Sequence, residues 1–366
     1  MKVLQIIDSL PATSGGARFV VNLVKKLAER NIDCQLLLID GAKSHFLDEL
    51  NLANIKIISL DDGVKNRYRF KYIRKIAYFM TDFDLVHVHV FPSSYMVAAA
   101  TLLKKDVTVV FTEHNSYNRR ATNWVFKLIE KFVYSRFNKI ICLSDQVLKF
   151  VTQNLSIPLE NLCIIENAID THAVINAVPY SKKELGYENS DWLLLMSARF
   201  TLQKNHKVLI EAMCLLPEDV KLLLAGDGIL KEELEMQVYK LGLTDRIQFL
   251  GSRKDVFRLM KSVDINVLSS NFEGLSLAAL EAMTVGKPFI ASNVEGLDFV
   301  VQDPRLLFEN NPKSIAMLVS DLINNEQLRK TAVEICAERS KKYDIDVMVD
   351  KYIEVYEEVL KKNDGK

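Results

Sequence analysis

No apolar run in this sequence approaches the ~20 residues a membrane span needs, and there is no surplus of charge of either sign. Basic and acidic residues balance at 47 each, so no global field argues for nucleic acid or for an acidic partner. Cysteines are few: Cys34, Cys142, Cys163, Cys214 and Cys336 are odd in number, scattered, and free of any C-x-x-C pair. Neither a disulfide framework nor a zinc cluster fits them, and they read as reduced, buried thiols of a cytoplasmic protein. The start, "MKVLQIIDSLP", has an apolar stretch too short for a signal peptide and interrupted by Gln5 and Asp8. Also missing is G-x-G-x-x-G, which disfavours a nicotinamide oxidoreductase, although Asp40 ends an apolar segment where a ribose-binding acid would stand.

What is present is a soluble globular composition, 49% hydrophobic and 26% charged over 366 residues, long enough for two domains. Short apolar segments alternate with segments of helical period. "KVLQII" (2–7) precedes "GARFVVNLVKKLAER", in which Phe19, Val20, Leu23, Val24 and Leu27 share one face. Apolar segments follow at 34–39, 55–60, 84–90, 107–111 and 139–144, and again at 192–198, 220–226, 247–251, 264–269 and 288–292. Continuous apolar strands separated by helices predict parallel sheets covered on both faces. The rhythm falters near 170–190. The reading is therefore α/β with two doubly wound, Rossmann-like domains, 1–172 and 173–342, and a final helix over 343–366 returning to the first. Ligands of such sheets bind beyond the carboxyl ends of the strands, which predicts chemistry just after strands and in the cleft of the pair.

Three stretches meet that condition. "SGGAR" brings Gly15 and Gly16 between the first strand and its helix, where backbone can approach an anion; a plain strand-to-helix turn would use the same letters. "SARFTLQKNH" places Arg199 and Lys204 in a loop after a strand, two cations that suit a diphosphate unless they are merely solvated. "SSNFEGLSLAALEAMTVGKP" sets Glu273 at the mouth of a helix beginning near Ser276, and Glu281 within the apolar run "LAALEAM". The amides near Gly274, Leu275 and Ser276 would complete an anion site. An unpaired charge at Glu281 would be costly in that setting, so a ligand or partner is expected for it. His87 and His89 alternate on one strand and His114 follows the next. A zinc site built on them is disfavoured for want of a full tetrahedral set. His206 reads as a helix-start residue.

"EGLSLAALEAM" resembles the E-x7-E motif of retaining GT-B glycosyltransferases, specifically glycosyltransferase family 4. "SGGAR", "HVHVFPSS", "TEHNSY", "IIENAID", "SARFTLQKNH", "LLLAGDG" and "IQFLGSRKDV" fall in the family's order along most of the chain. Ala168 and Ala198 stand where the family often has glycine. The resemblance implies a hexosyltransferase using a nucleotide diphosphate sugar, UDP favoured, with retention and with neither metal nor cofactor. It assigns Arg199 and Lys204 to the donor diphosphate, Glu273 to hydroxyls of the transferred sugar, and Glu281 to the ribose. The 274–276 backbone and Gly16 would approach the donor, and His114 would meet the sugar near the reacting carbon. Implied acceptors are glycans or lipid-linked oligosaccharides of surface polysaccharide, lipopolysaccharide or capsule. A nucleotide-sugar epimerase and a non-catalytic nucleotide-sugar-binding subunit are the competing readings.

Residues 1–170 hold 22 basic and 17 acidic residues. Residues 65–80 carry Lys65, Arg67, Arg69, Lys71, Arg74 and Lys75 without an acid, and 119–139 carry Arg119, Arg120, Lys127, Lys131, Arg136 and Lys139 against Glu130. An amphipathic helix packing on the sheet accounts for the apolar positions. The basic face, with Arg67, Lys71, Arg74 and Lys75 together, suggests reversible contact with an anionic inner membrane leaflet.

Overall fold

A computed structural model describes residues 1–11, 14–42, 44–61, 70–104, 106–114 and 124–364. The chain forms two compact units, Met1–Asn167 with Ile345–Lys366, and Ala168–Asp344. Their seams fall a few residues from the points where the sequence rhythm changes.

The first unit runs β1 (Lys2–Ile7), α1 (Gly15–Glu29), β2 (Asp33–Leu38), α2 (His45–Leu52), β3 (Lys56–Ser59), α3 (Phe70–Met80) and β4 (Leu85–His89). It continues through α4 (Ser93–Ala100), β5 (Thr108–Glu113), α5 (Trp124–Tyr134), β6 (Lys139–Cys142), α6 (Asp145–Leu155) and β7 (Leu162–Ile164). The sheet is parallel, in the order β3-β2-β1-β4-β5-β6-β7. β4 and β5 are buried along their whole length, as expected for strands covered on both faces. α1 starts because Ser14 turns its hydroxyl back to accept from the Ala17 amide at 3.2 Å. Its buried stripe includes all five residues predicted for that face.

The second unit runs α7 (Thr171–Ile175), β8 (Trp192–Ser197), α8 (His206–Met213), β9 (Val220–Ala225), α9 (Lys231–Lys240), β10 (Ile247–Gly251) and α10 (Val256–Ser262). Then come β11 (Ile265–Leu268), α11 (Leu277–Thr284), β12 (Phe289–Ser292), α12 (Leu297–Val301), β13 (Leu307–Phe308), α13 (Pro312–Asn324) and α14 (Glu326–Ser340). This sheet is also parallel, ordered β10-β9-β8-β11-β12-β13. The edge strands β7 and β13 are too short to leave a sequence signature. After α14 the chain gives α15 (Ile345–Asp364) to the first unit, where it packs on α1 and β5. Tyr352 and Tyr356 of α15 are fully buried, and Lys26 and Arg30 of α1 pair with Asp346 and Asp350.

Each sheet has one place where the strand order reverses, between β1 and β4 in the first unit and between β8 and β11 in the second. Loops leaving those neighbouring strands diverge to opposite faces and open a crevice at the strand ends. The cysteine reading needs one correction. Cys34, Cys142 and Cys336 are buried, with thiols pushed up to about 12 by burial, but Cys163 is half-buried and Cys214 is exposed. Cys214 is the exposed C-cap residue of α8.

Candidate functional site

In the second unit the residues predicted from the sequence converge at the reversal point. The loop after β8 carries Arg199 and Lys204; the loop after β11 carries Glu273 and leads into α11. Side chains lace these loops together. Asn271 donates to the Leu202 carbonyl at 2.8 Å, Asn205 donates to Asn271 Oδ1 at 3.0 Å, and Ser269 donates to the Asn205 carbonyl at 3.1 Å. Asn310, from beyond β13, donates to the Ser270 carbonyl at 3.2 Å and to Asn271 Oδ1 at 3.0 Å. Ser292 at the end of β12 donates to the same Ser270 carbonyl at 2.6 Å.

Glu273 sits on this framework. Lys204 Nζ and Ser270 Oγ both donate to its Oε1, the latter at 2.6 Å, while Gln203 Nε2 reaches its Oε2 at 3.4 Å. The side chains of Glu273 and Lys204 are only 7% and 12% exposed. Two charges so far out of water are tolerable because each meets the other and the carboxylate gains neutral donors. The sequence reading gave Lys204 and Glu273 separate partners; the structure joins them. Arg199 differs, since its guanidinium is exposed and meets no hydrogen-bond or ionic partner among the described residues.

Ser276 is the N-cap of α11, as predicted, but its hydroxyl makes no capping bond. Among the described residues the amides of 274–278 donate to nothing, so this helix end keeps its capacity to bind an anion. Glu281 lies half-buried in the middle of α11, flanked by buried Ala279, Leu280, Ala282 and Met283. Beneath the loop, a Cβ on Gly296 would stand 2.4 Å from the Gly274 carbonyl and 2.5 Å from that of Glu273, and φ at Gly296 is +93°. Only glycine lets the 296 backbone pass this close. In the same way a Cβ on Gly226 of "AGDG" would meet the Ala198 carbonyl at 2.0 Å, directly before Arg199. Gln203, Ser270, Asn310, Gly226 and Gly296 were missed by sequence reasoning. The polar run "SSN" after an apolar strand was the one available signal.

His206 opens α8, is 1% exposed, and packs edge-on against Phe200 at 4.8 Å. Neither ring nitrogen has a hydrogen-bond partner among the described residues. Burial, with the Lys204 charge adding to it, lowers its pKa to about 3. A cavity of about 400 Å³ lined by Tyr180, Leu185, Gln248 and Arg253 contains none of the predicted residues.

In the first unit, Gly16 stands at the reversal point, where a Cβ would meet Val90 Cγ1 of the loop after β4 at 3.4 Å. His114 follows β5 and is half-buried; desolvation brings its pKa down to about 4. Its Nε2 lies 3.4 Å from His89 Nδ1. His87 has both nitrogens occupied by hydroxyls, Tyr356 at 2.6 Å and Thr112 at 2.7 Å. Among the described residues no group of three or more His, Cys, Asp or Glu is placed to hold a metal ion.

The basic segments look different in three dimensions. Lys65, Arg67 and Arg69 and also Arg119 and Arg120 lie outside the described residues. On α3 the buried residues are Tyr72, Ile76, Ala77 and Met80. Lys71, Arg74 and Lys75 are exposed on α3, with Lys71 paired to Asp61 at 3.3 Å and Lys75 donating to the Leu60 carbonyl. Lys139 is buried and pairs with Glu358, and Arg136 donates to Thr101. The outward side of α5 is instead apolar: Phe126, Leu128, Ile129 and Phe132 are 41–61% exposed beside exposed Lys127 and Lys131. No helix among the described residues is long and apolar enough to cross a membrane.

Comparison with known proteins agrees with this geometry. The family description Glycosyltransferase Family 4 matches residues 13–173, and Glycosyl transferases group 1 matches residues 179–339. An uncharacterized glycosyltransferase of Methanocaldococcus jannaschii is 30% identical over 369 residues, spanning 98% of this chain and 99% of the relative. The UDP-Gal:alpha-D-GlcNAc-diphosphoundecaprenol alpha-1,3-galactosyltransferase of Escherichia coli is 27% identical over 321 residues, 81% of each chain. The crystal structure of Anabaena HepE in complex with UDP superposes with a TM-score of 0.84 at 20% identity, covering 98% of this chain and 100% of that one. The chain is a glycosyltransferase of family 4, with the GT-B fold.

Proposed function

We propose that this enzyme moves a hexosyl or N-acetylhexosaminyl group from a UDP-sugar to a hydroxyl of a lipid-linked glycan in surface polysaccharide synthesis, retaining the anomeric configuration and using no metal. The observation that carries the reading is the second unit's reversal point. There a free guanidinium, an ammonium and an uncapped helix N-terminus lie on loops locked to one another, which suits a diphosphate. The resemblance to the Escherichia coli galactosyltransferase supports UDP and a diphospho-lipid acceptor.

As the bond between the sugar's anomeric carbon and the diphosphate oxygen breaks, negative charge grows on that oxygen. Arg199, Lys204 and the amides of 274–276 are the groups that stabilise it, doing the charge neutralisation that a divalent cation does elsewhere. Glu273 accepts from hydroxyls of the transferred sugar and Glu281 from the ribose. From the first unit, Gly16 admits the diphosphate and His114 meets the sugar. The acceptor oxygen attacks on the face the leaving group vacates, and its proton passes to the departing phosphate oxygen. Among these residues no carboxylate serves as a nucleophile, so the route differs from the two-carboxylate chemistry of glycoside hydrolysis and forms no covalent glycosyl-enzyme.

The decisive assay follows UDP release from a panel of UDP-hexoses with and without a polyprenyl-diphosphate-linked sugar. Product formed only with the acceptor supports transfer. Donor isomerised without acceptor would make the protein an epimerase, and UDP-sugar binding with no turnover under any condition would make it a binding subunit.

Beside the exposed basic residues of α3, the exposed apolar residues of α5 next to Lys127 and Lys131 fit insertion into an anionic leaflet at the cytoplasmic face. Co-sedimentation with phosphatidylglycerol vesicles at low salt tests it. Pelleting unchanged when Phe126, Leu128, Ile129 and Phe132 become serine would remove the idea.

A further inference from the structure

Behind His114 lies a chain of hydrogen bonds that the proposed chemistry has not used. Tyr356 Oη accepts from Gln5 Nε2 at 3.1 Å; Gln5 Oε1 lies 2.7 Å from His89 Nε2; His89 Nδ1 lies 3.4 Å from His114 Nε2. Gln5 is on β1, His89 on β4, His114 just after β5 and Tyr356 on α15. Gln5, His89 and Tyr356 are all fully buried, so no water competes for these atoms.

The donors and acceptors along this path can be assigned one after another. Gln5 spends its NH2 group on the tyrosine hydroxyl, so the atom it turns to His89 is a carbonyl oxygen, which only accepts. His89 must therefore carry its proton on Nε2. Burial, reinforced by its neighbours His87 and His114, keeps His89 neutral, so Nδ1 is bare and accepts. His114 must then donate from Nε2, and being neutral as well it has a bare Nδ1. That nitrogen has no partner among the described residues. Phe19 of α1, packed edge-on against both rings at 5.9 and 5.0 Å, limits their freedom to swing.

We infer that Gln5 and His89 are positioning residues that hold His114 in the Nε2–H tautomer and reserve its Nδ1 as a hydrogen-bond acceptor for a hydroxyl of the transferred sugar. The inference rests on the reading of His114 as a sugar contact. It adds a selectivity: a donor sugar must offer a proton at that position. A hydroxyl satisfies Nδ1, whereas a fluorine or methoxy group there presents a lone pair to a lone pair.

The test labels the histidines of the whole protein with ¹⁵N and reads the ring tautomers by NMR, in the unaltered chain and in Gln5→Met. A Tyr356→Phe variant serves as a second perturbation that leaves Gln5 and His89 in place, since it removes one hydroxyl, the one that orients the Gln5 amide and also meets His87 Nδ1. Expected are an Nε2–H signature for His114 in the unaltered protein and a mixture of tautomers in Gln5→Met. Transfer should fall about tenfold, the equivalent of one hydrogen bond, with UDP affinity unchanged. Deoxyfluoro donors should identify one position at which fluorine is rejected by the unaltered enzyme and less so by Gln5→Met. An Nδ1–H tautomer for His114 in the unaltered chain would mean that the Gln5 amide is reversed, and overturns the inference. So would an Nε2–H tautomer that persists unmixed in both variants. If the tautomer shifts while every donor is transferred as before, the pinning stands and the reading of His114 as a sugar contact fails.

Discussion

The two sheets share one strand order near their centres and one kind of crevice, yet they furnish it with opposite chemistry. At the first unit's reversal point the polar groups are neutral and deeply buried: Gln5, His87, His89 and Thr112 are 0% exposed and linked ring to hydroxyl to amide. At the second unit's they are ionic and nearer the surface, with Lys204 on Glu273 and Arg199 in solvent. A neutral network can be buried at little cost if every member is paired, whereas charges need partners or water. The topology thus determines where a ligand binds, and the side chains determine what kind of group is met there. Charge suits a diphosphate; an oriented neutral acceptor suits a hydroxyl.

The sharpest way to break this contrast is to neutralise the ionic side. Glu273→Gln, Lys204→Ala and Arg199→Ala should each lower kcat by about 10²–10³-fold, on the order of 2.7–4 kcal/mol. Glu273→Gln should leave the Kd for UDP nearly unchanged. Equal loss of UDP binding in Glu273→Gln and in Glu281→Ala would show that the two carboxylates do not divide sugar from nucleoside.

Gly296→Ala attacks the same site from beneath. Its Cβ would collide with the Glu273 and Gly274 carbonyls, at a cost of about 1–3 kcal/mol or a displaced loop. Transfer should suffer more than thermal stability, and a variant with normal turnover would mean that the loop tolerates movement. Glu281→Ala should weaken UDP binding by about 1–3 kcal/mol, read by calorimetry, with little effect on kcat at saturating donor.

Acid bears on the desolvated histidines of both units, and substitution isolates the share of His206. His206 has its pKa lowered to about 3 when folded, against a usual value near 6.5. The unfolded chain therefore binds an additional proton in that window, and this group removes about 1.4 kcal/mol of stability per pH unit on acidification from 6.5 toward 3. Above 6.5 it contributes no slope. His206→Leu should reduce the dependence of the urea midpoint between pH 7 and 5, the remainder coming from His87, His89 and His114, and should raise the midpoint at pH 6, because two unsatisfied nitrogens are removed. The smallest expected effect is that of chelation: excess EDTA should leave transfer unchanged. Loss with EDTA and recovery with magnesium would end the metal-free proposal.

Much of the site was legible because local pattern carries it. Arg199, Lys204, Glu273 and Ser276 follow strands whose apolar runs are unmistakable, and strand ends are where doubly wound sheets bind ligands. What escaped was long-range. The bond from Lys204 to Glu273 crosses 69 positions and that from Gln5 to Tyr356 crosses 351; no periodicity encodes such pairings. Nothing local marks Gly296 either, because the carbonyls that demand glycine there belong to Glu273 and Gly274. The basic segments were legible in part: Lys71, Arg74 and Lys75 are exposed on α3, but a run of lysines and arginines does not reveal that Lys139 turns inward to Glu358 or that Lys71 meets Asp61.

The helix α15 sets an order on the birth of the molecule. Residues 168–344 are contiguous and can close their core as soon as they leave the ribosome. The first unit is translated earlier but must wait, because the side chains that satisfy Gln5 and His87 arrive with Tyr356, after the whole second unit has been made. Until then the Gln5 amide on β1 and the His87 imidazole on β4 each lack one partner in what will be a dry interior, and α1 lacks the helix it packs against. The half synthesised first is therefore the half completed last, and a chain released after residue 344 should have a folded second unit and an unfinished first one.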